Sequence, residues 1–288
     1  MIRDPGTTIT NALSFDVEDY FHVHAFRDVI DLREWDRWPM RVVDSTRRVL
    51  RLLERTQTRA TFFVLGWVAE RAPELVQEIH AAGHELASHG HLHQPVYELG
   101  REGFREDLRR ASDAIRSAVP DAALLGYRAP SFSINEQTPW AFEELKSAGF
   151  EYDSSLSPAS LHDRYGVRDS PRFAHRRDEG LLEIPPSTVR VAGQTLQVVG
   201  GGHFRLAPAR VSDWAVRRIN AEGSPVVTYF HPWEFDPEQP RVVGASTKSR
   251  LRHYTNLRKT ESRLERLLQR FPFDRVDAAF EPQLAAAC

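Results

Sequence analysis

Four of the chain's 12 histidines, His84, His89, His91 and His93, fall within residues 83–93, GHELASHGHLH. His89 and His93 stand four apart, a spacing that on one helical turn faces both rings the same way. A divalent metal needs its ligands on one side, and neutral imidazole is its commonest partner. A polar turn whose histidines only cap and hydrogen-bond would use the same residues. A second stretch favours the metal. Residues 12–21, ALSFDVEDYF, run apolar and then turn acidic at Asp16, Glu18 and Asp19. That is how a buried parallel strand looks where its C-terminal end opens into a polar cleft. Carboxylates crowded there repel one another and are costly to desolvate unless a cation sits between them or one holds a proton.

The elements that must position these groups alternate along the chain. After the first strand, residues 20–40 mix aromatic and charged side chains at a spacing poor for a long helix, an excursion over the active face. His22 and His24 lie there and read as surface or substrate-facing residues rather than ligands. Helical patterns follow at 42–55, 73–82, 101–119, 138–148, 208–222 and 247–270. Buried strands are expected in ATFFVLGWVAE, at HELASH, in LLGYRAPSFSI, in LLEIPPSTVRVAG and TLQVVGGGHFRL, and in PVVTYFHPWEF. Nearly every strand ends in a candidate reactive residue, Arg128 and His231 among them. That is the logic of an α/β fold of the (β/α) barrel kind, whose chemistry collects at the C-terminal strand ends. The GGG at 200–202 lacks both dinucleotide spacing and a P-loop lysine.

Composition narrows the function classes. With 288 residues, 41% hydrophobic and 27% charged, the chain suits a single domain over 1–288, its motifs in 12–235 and a helical extension over 236–288. Lysine and arginine number 38 against 40 acids, a net charge of −2 with no basic block, so nucleic acid is not an expected partner. The one cysteine, Cys288, permits no intrachain disulfide or cysteine metal site. No run of about 18 apolar residues and no leader pattern occurs, so a cytoplasmic protein without a transmembrane segment is expected. Helix 247–270 sets Leu251, Leu257, Leu264, Leu267 and Leu268 at helical spacing, a candidate surface for a homo-oligomer.

SFDVED, ATFFVLG, GHELASHGHLH, GYRAPSFS, EYDSS and YFHPWEF occur in an order that resembles the polysaccharide deacetylases of carbohydrate esterase family four, the NodB-homology enzymes. The DVEDYF form, the HPWEFDPEQPR run and the RLRHYTNLRKTESRLERLL tail look closest to the exosortase-associated branch, linked with exopolysaccharide production in bacteria. The branch also resembles allantoinase-like and peptidoglycan-deacetylase relatives. The resemblance implies a distorted seven-stranded barrel and a role for each position. His89 and His93 match metal ligands, Asp16 the base, Arg128 the arginine that orients it and His231 the general acid, with Asp153 a plausible partner of that histidine. The family's adjacent Asp-Asp pair is replaced here by Asp-Val-Glu-Asp, so either Glu18 or Asp19 takes the metal.

One carboxylate and two imidazoles leave positions open on Zn²⁺, or on Co²⁺ or Ni²⁺, for catalysis. The expected protein is a metal-dependent hydrolase of N-acetyl groups on the amino sugars of a bacterial polysaccharide or its lipid-linked precursor, the latter drawing it to a membrane. A small cyclic-amide hydrolase would dispense with the usual metal set, against which His89 and His93 stand. A sugar-binding barrel without catalysis would lack a base or an acid, yet Asp16 and His231 are both present.

Overall fold

The protein is described from a computed structural model over residues 9–158, 167 and 170–286; Cys288 and most of the irregular stretch 159–169 lie outside the described residues. Eleven strands occur among them: β1 Asn11–Val17, β2 Thr61–Val64, β3 Glu85–Ser88, β4 Gly126–Tyr127, β5 Tyr152–Asp153, β6 His175–Arg176, β7 Leu182–Glu183, β8 Thr188–Val191, β9 Gln194–Gln197, β10 Val227–Phe230 and β11 Phe273–Asp274. The sheet runs β10-β1-β2-β3-β4-β5-β7-β6, and every pair from β10 to β7 is parallel. Seven parallel strands therefore form the curl, as the family resemblance implies. β6 adds antiparallel to β7, and β11 pairs with the start of β1.

β7 and β10 do not pair as strands. Pro185 and Pro186 follow β7 and have no N–H to give a ladder. Ser187 spans the gap instead: its N–H donates to the Val227 carbonyl at 3.1 Å, and its Oγ accepts the Val227 N–H at 2.8 Å.

Side chains of β1 alternate across the sheet. Leu13, Phe15 and Val17 enter the main apolar core under the helices. Ala12 joins a smaller cluster with Phe63, Ala87, Tyr152, Leu182 and Val227, plugged at the N-terminal strand ends by Val276 and Phe280. Ser14 and Asp16 continue along that inner line towards the C-terminal end, where both meet Arg128. The apolar floor and polar mouth of the barrel thus come from one strand's alternation.

Most helices fall where the periodicity predicts: Val42–Thr56, Pro73–Ala81, Val96–Ala118, Ala141–Ser147 and Ala209–Ala221. Two expectations are corrected. The predicted helix 247–270 is two helices, Thr247–Tyr254 and Leu257–Arg270, because Thr255 is extended and Asn256 takes the left-handed conformation at φ 59°. Its Leu257, Leu264, Leu267 and Leu268 are buried in the chain's own core and only Leu251 is exposed, so the leucine pattern is satisfied without a second subunit. The predicted strand through GGGHFRL is a strand only to Gln197, and Gly201–Leu206 is a helix. Gly200 makes this possible. It bridges to Tyr229 of β10, where a Cβ would stand 2.7 Å from the Tyr229 carbonyl oxygen. Among the described residues no helix is long and apolar enough to cross a membrane.

Candidate active site

The candidate residues leave the C-terminal strand ends in turn. Asp16 is the penultimate residue of β1 and Glu18 follows its last; His89 follows β3, Arg128 follows β4 and His231 follows β10. Asp16, Glu18, His89 and His231 line one cleft together with His93, Tyr229 and Trp233, and Arg128 is buried behind Asp16. Such convergence is what parallel strands around a barrel mouth produce from residues scattered over more than 200 positions.

His89 and His93 do not meet on a helical turn. The chain leaves β3 through Gly90 at φ 73° and brings His93 round at φ 51°, leaving the two ring centroids 5.4 Å apart. Buried Asp107 pins this loop by accepting the His91 N–H at 3.0 Å, and a Cβ on Gly90 would lie 2.7 Å from the same carboxylate oxygen. The His89 Nδ1–H donates to the Arg128 carbonyl at 2.8 Å, which turns its Nε2 lone pair towards the cleft. Burial pushes the His89 imidazole down to about 4, so it is neutral and available as a ligand near neutral pH. His93 Nε2 stands 2.7 Å from Glu18 Oε2. One ligand atom from each of buried Glu18, buried His89 and half-buried His93 falls within 4.8 Å of the other two, a set of two imidazole nitrogens and one carboxylate oxygen that fits a divalent ion. Burial raises the Glu18 carboxyl, but His93, His231 and His89 outweigh it and hold it below the ordinary glutamate range. Trp233 Nε1–H donates to its Oε1 at 3.2 Å.

Asp19, the other candidate for the metal carboxylate, is not part of this set, which corrects that half of the expectation. Its carboxylate points to the following loops and accepts the backbone N–H groups of Tyr20, Arg41 and Val42 at 2.9, 2.5 and 2.8 Å. Burial lifts it to about 7 against those three donors. His22 is buried and its Nδ1 accepts the Asp19 N–H at 2.9 Å, so it braces the same turn, whereas His24 lines the cleft.

Arg128 is fully buried. Its Nη1 donates to Asp16 Oδ1 at 2.6 Å and to Ser14 Oγ at 2.8 Å, its Nη2 to Ser154 Oγ at 3.0 Å, and its guanidinium lies 4.0 Å over the Phe63 ring. Asp16 Oδ1 is therefore held while Oδ2 faces His231 Nε2 at 3.8 Å. His231 Nε2 also lies 3.5 Å from Glu18 Oε1. Burial disfavours a charge on His231, yet Glu18, Glu234 and Asp16 raise it to about 9.

Asp153 does not partner His231, a second correction. It lies inside the barrel, where its Oδ1 accepts from Ser155 Oγ at 2.5 Å and burial raises its pKa. Ser155 Oγ in turn accepts the Ala129 N–H at 2.8 Å, so this network supports the turn after Arg128. The partner of His231 is Glu234, whose Oε1 accepts from His231 Nδ1–H at 2.8 Å. Sequence reasoning passed over Glu234 and also Arg205, its ion-pair partner. Glu234 had a local signal: a carboxylate three residues after the helix-capping His231, with Pro232 opening the turn, is a capping-box spacing. Arg205 had none, because nothing local links it to residue 234.

Residues 34–152 match the polysaccharide deacetylase family, and residues 154–281 match a domain of unknown function, DUF3473. Over 85 residues the chain is 38% identical to a chitooligosaccharide deacetylase of Sinorhizobium fredii, covering 30% of this chain and 40% of that protein. Over 106 residues it is 29% identical to a peptidoglycan-N-acetylglucosamine deacetylase of Bacillus cereus, covering 37% of this chain and 47% of that one. The matches thus span less than half the length of these relatives. The crystal structure of a Mycobacterium smegmatis protein provisionally named a polysaccharide deacetylase is similar in fold, with a TM-score of 0.63 at 20% identity over 99% of this chain and 93% of that one. His89, His93 and Arg128 lie within the matched deacetylase segment, Asp16 and Glu18 before it, and His231, Glu234 and Arg205 in the segment of unknown function. Residues 34–152 are thus similar to the polysaccharide deacetylase family, and the fold around them is that of the Mycobacterium smegmatis structure.

Proposed function

We propose that the protein is a metal-dependent hydrolase that removes N-acetyl groups from the amino sugars of a bacterial polysaccharide or its lipid-linked precursor, in the service of exopolysaccharide production. Glu18, His89 and His93 hold one divalent ion, Zn²⁺ in our reading. When bound, the ion supplies a Lewis acid for the amide carbonyl and lowers the pKa of water at the site. Asp16, oriented by Arg128, accepts a proton as water adds to the acetyl carbon. The C–N bond then breaks, and His231 Nε2 gives a proton to the departing amine, leaving acetate and a free amino sugar. The sugar-binding alternative leaves this pairing of base and acid without a task.

One observation carries the reading. His231 Nε2 stands 3.8 Å from Asp16 Oδ2 and 3.5 Å from Glu18 Oε1, so a proton donor and an arginine-held carboxylate flank one three-donor group. The decisive experiment is acetate release from N-acetylglucosamine oligomers, run alongside elemental analysis of the purified protein. Asp16→Asn is expected to keep the metal and lose about 100-fold or more in turnover. Full activity in metal-stripped protein or in Asp16→Asn overturns the reading.

A further inference from the structure

The hydrogen bonds around His231 continue past it into the segment of unknown function. Glu234 is fully buried: its Oε1 accepts from His231 Nδ1–H and from the His231 backbone N–H at 2.8 and 3.1 Å, and its Oε2 accepts from Arg205 Nε at 2.5 Å. Arg205 is only 1% exposed and spends its remaining donors on backbone carbonyls. Nη1 donates to the carbonyls of His253 and Thr255 at 2.9 and 2.7 Å, and Nη2 to that of Arg252 at 3.1 Å. These carbonyls belong to the end of the helix Thr247–Tyr254, where backbone acceptors have no partner inside the helix. The break at Asn256 aims them at Arg205, and the Asn256 side chain returns a hydrogen bond to the Arg205 carbonyl at 2.8 Å.

A buried ion pair is a poor source of stability, since well-packed apolar residues often serve as well. Here both carboxylate oxygens of Glu234 and all three guanidinium nitrogens of Arg205 are hydrogen-bonded, and the carboxylate touches the imidazole at the cleft. The rings agree with that placement: His231 stacks on Trp233 at 5.1 Å, and Trp233 on His253 at 4.1 Å.

We propose that Glu234 and Arg205 are positioning residues for His231: Glu234 sets the rotation and tautomer of the imidazole, and Arg205 holds Glu234 by clamping it to the end of the helix Thr247–Tyr254. The inference rests on the reading of His231 as the proton donor. It gives the segment that matches the domain of unknown function a task, which is to build the acid half of the active centre opposite the metal half.

The test compares an amide with an activated ester, whose leaving group needs no proton. In Arg205→Met and Glu234→Gln, kcat for acetate release from N-acetylglucosamine oligomers is expected to fall about 10- to 100-fold with KM little changed, while 4-nitrophenyl acetate hydrolysis and metal content stay near those of the wild type. Equal losses on both substrates, or an unchanged amide kcat, overturn the proposal. Where Arg205→Met fails to fold, the double variant Arg205→Met, Glu234→Gln leaves no unpaired buried charge and takes its place with the same expectation. A substrate-free arm reads the His231 Nδ1–H resonance by NMR, identified by its loss in His231→Gln. It is expected to shift or broaden in Arg205→Met, and an unmoved signal overturns the proposal. Absence of acetate release by the wild type would instead overturn the hydrolase reading and leave the NMR arm to decide the positioning.

Discussion

His89 donates its Nδ1–H to the carbonyl of Arg128 at 2.8 Å, while the guanidinium of the same Arg128 reaches Asp16 at 2.6 Å. One residue therefore sets the tautomer of a proposed metal ligand through its backbone and holds the proposed base through its side chain. The two tasks separate in Arg128→Met. The carbonyl remains, so metal content should be unchanged, whereas turnover should fall by about 100-fold as Asp16 loses its orientation. Stability should drop by about 3–5 kcal/mol, because a buried carboxylate is left without its cation. Acetate release, metal analysis and urea unfolding of the one variant check all three, and loss of metal would show that the guanidinium also holds the ligand side.

Glu18 and Asp19 are neighbours in opposite surroundings, histidines around the first and backbone N–H groups around the second. Glu18→Ala should lose the metal and the activity together. Asp19→Asn should keep the metal and lower unfolding stability by about 1–3 kcal/mol, since it disturbs an acceptor of three backbone N–H groups. Elemental analysis with thermal melts distinguishes them, and metal loss in Asp19→Asn would reverse the assignment.

Acid should weaken the fold through a histidine far from the cleft. Burial at the start of β3 pushes His84 down to about 4, and its Nδ1 accepts the Ala60 N–H at 3.2 Å. The unfolded chain binds a proton there below about 6.5 while the folded chain does not, so this stability is present above about 6.5 and is lost as pH falls towards 4. His84→Asn keeps an acceptor near the Nδ1 position and removes the titration. Between pH 7.5 and 5 it should lose about 1–2 kcal/mol less stability than the wild type. Parallel pH profiles for the two proteins would exclude His84 as a source of acid sensitivity.

The C-terminal leucines should behave as core. Leu264 is fully buried and Leu251 is 67% exposed. Leu264→Ala is expected to cost about 2–5 kcal/mol in denaturant unfolding, and Leu251→Ala no more than about 0.5 kcal/mol. A reversed order would place an unrecognised interface on Leu251.

The sequence by itself determined the alternation of strands and helices, the floor-to-mouth polarity of β1, and the positions at which Asp16, His89, Arg128 and His231 leave their strands. Those features are periodic or local: alternation of burial along a strand, helical spacing, and a polar residue at the end of an apolar run. The choice between Glu18 and Asp19 was not local, because both follow the same strand, and what divides them is that the Tyr20, Arg41 and Val42 amides surround one and the histidines the other. Convergence of His89 and His93 was legible, but its cause was not. Positive φ at Gly90 and His93, rather than a helical turn, closes the pair. The partner of His231 was settled only by tertiary structure. Asp153 and Glu234 are both carboxylates near strand ends, but Asp153 is inside the barrel with Ser155 while Glu234 sits one turn beyond His231. Arg205 lies on the helix Gly201–Leu206 that follows the β8–β9 hairpin, 29 residues before Glu234. A hydrogen bond depends on where two atoms end up, and for pairs this far apart only the folded chain places them within reach.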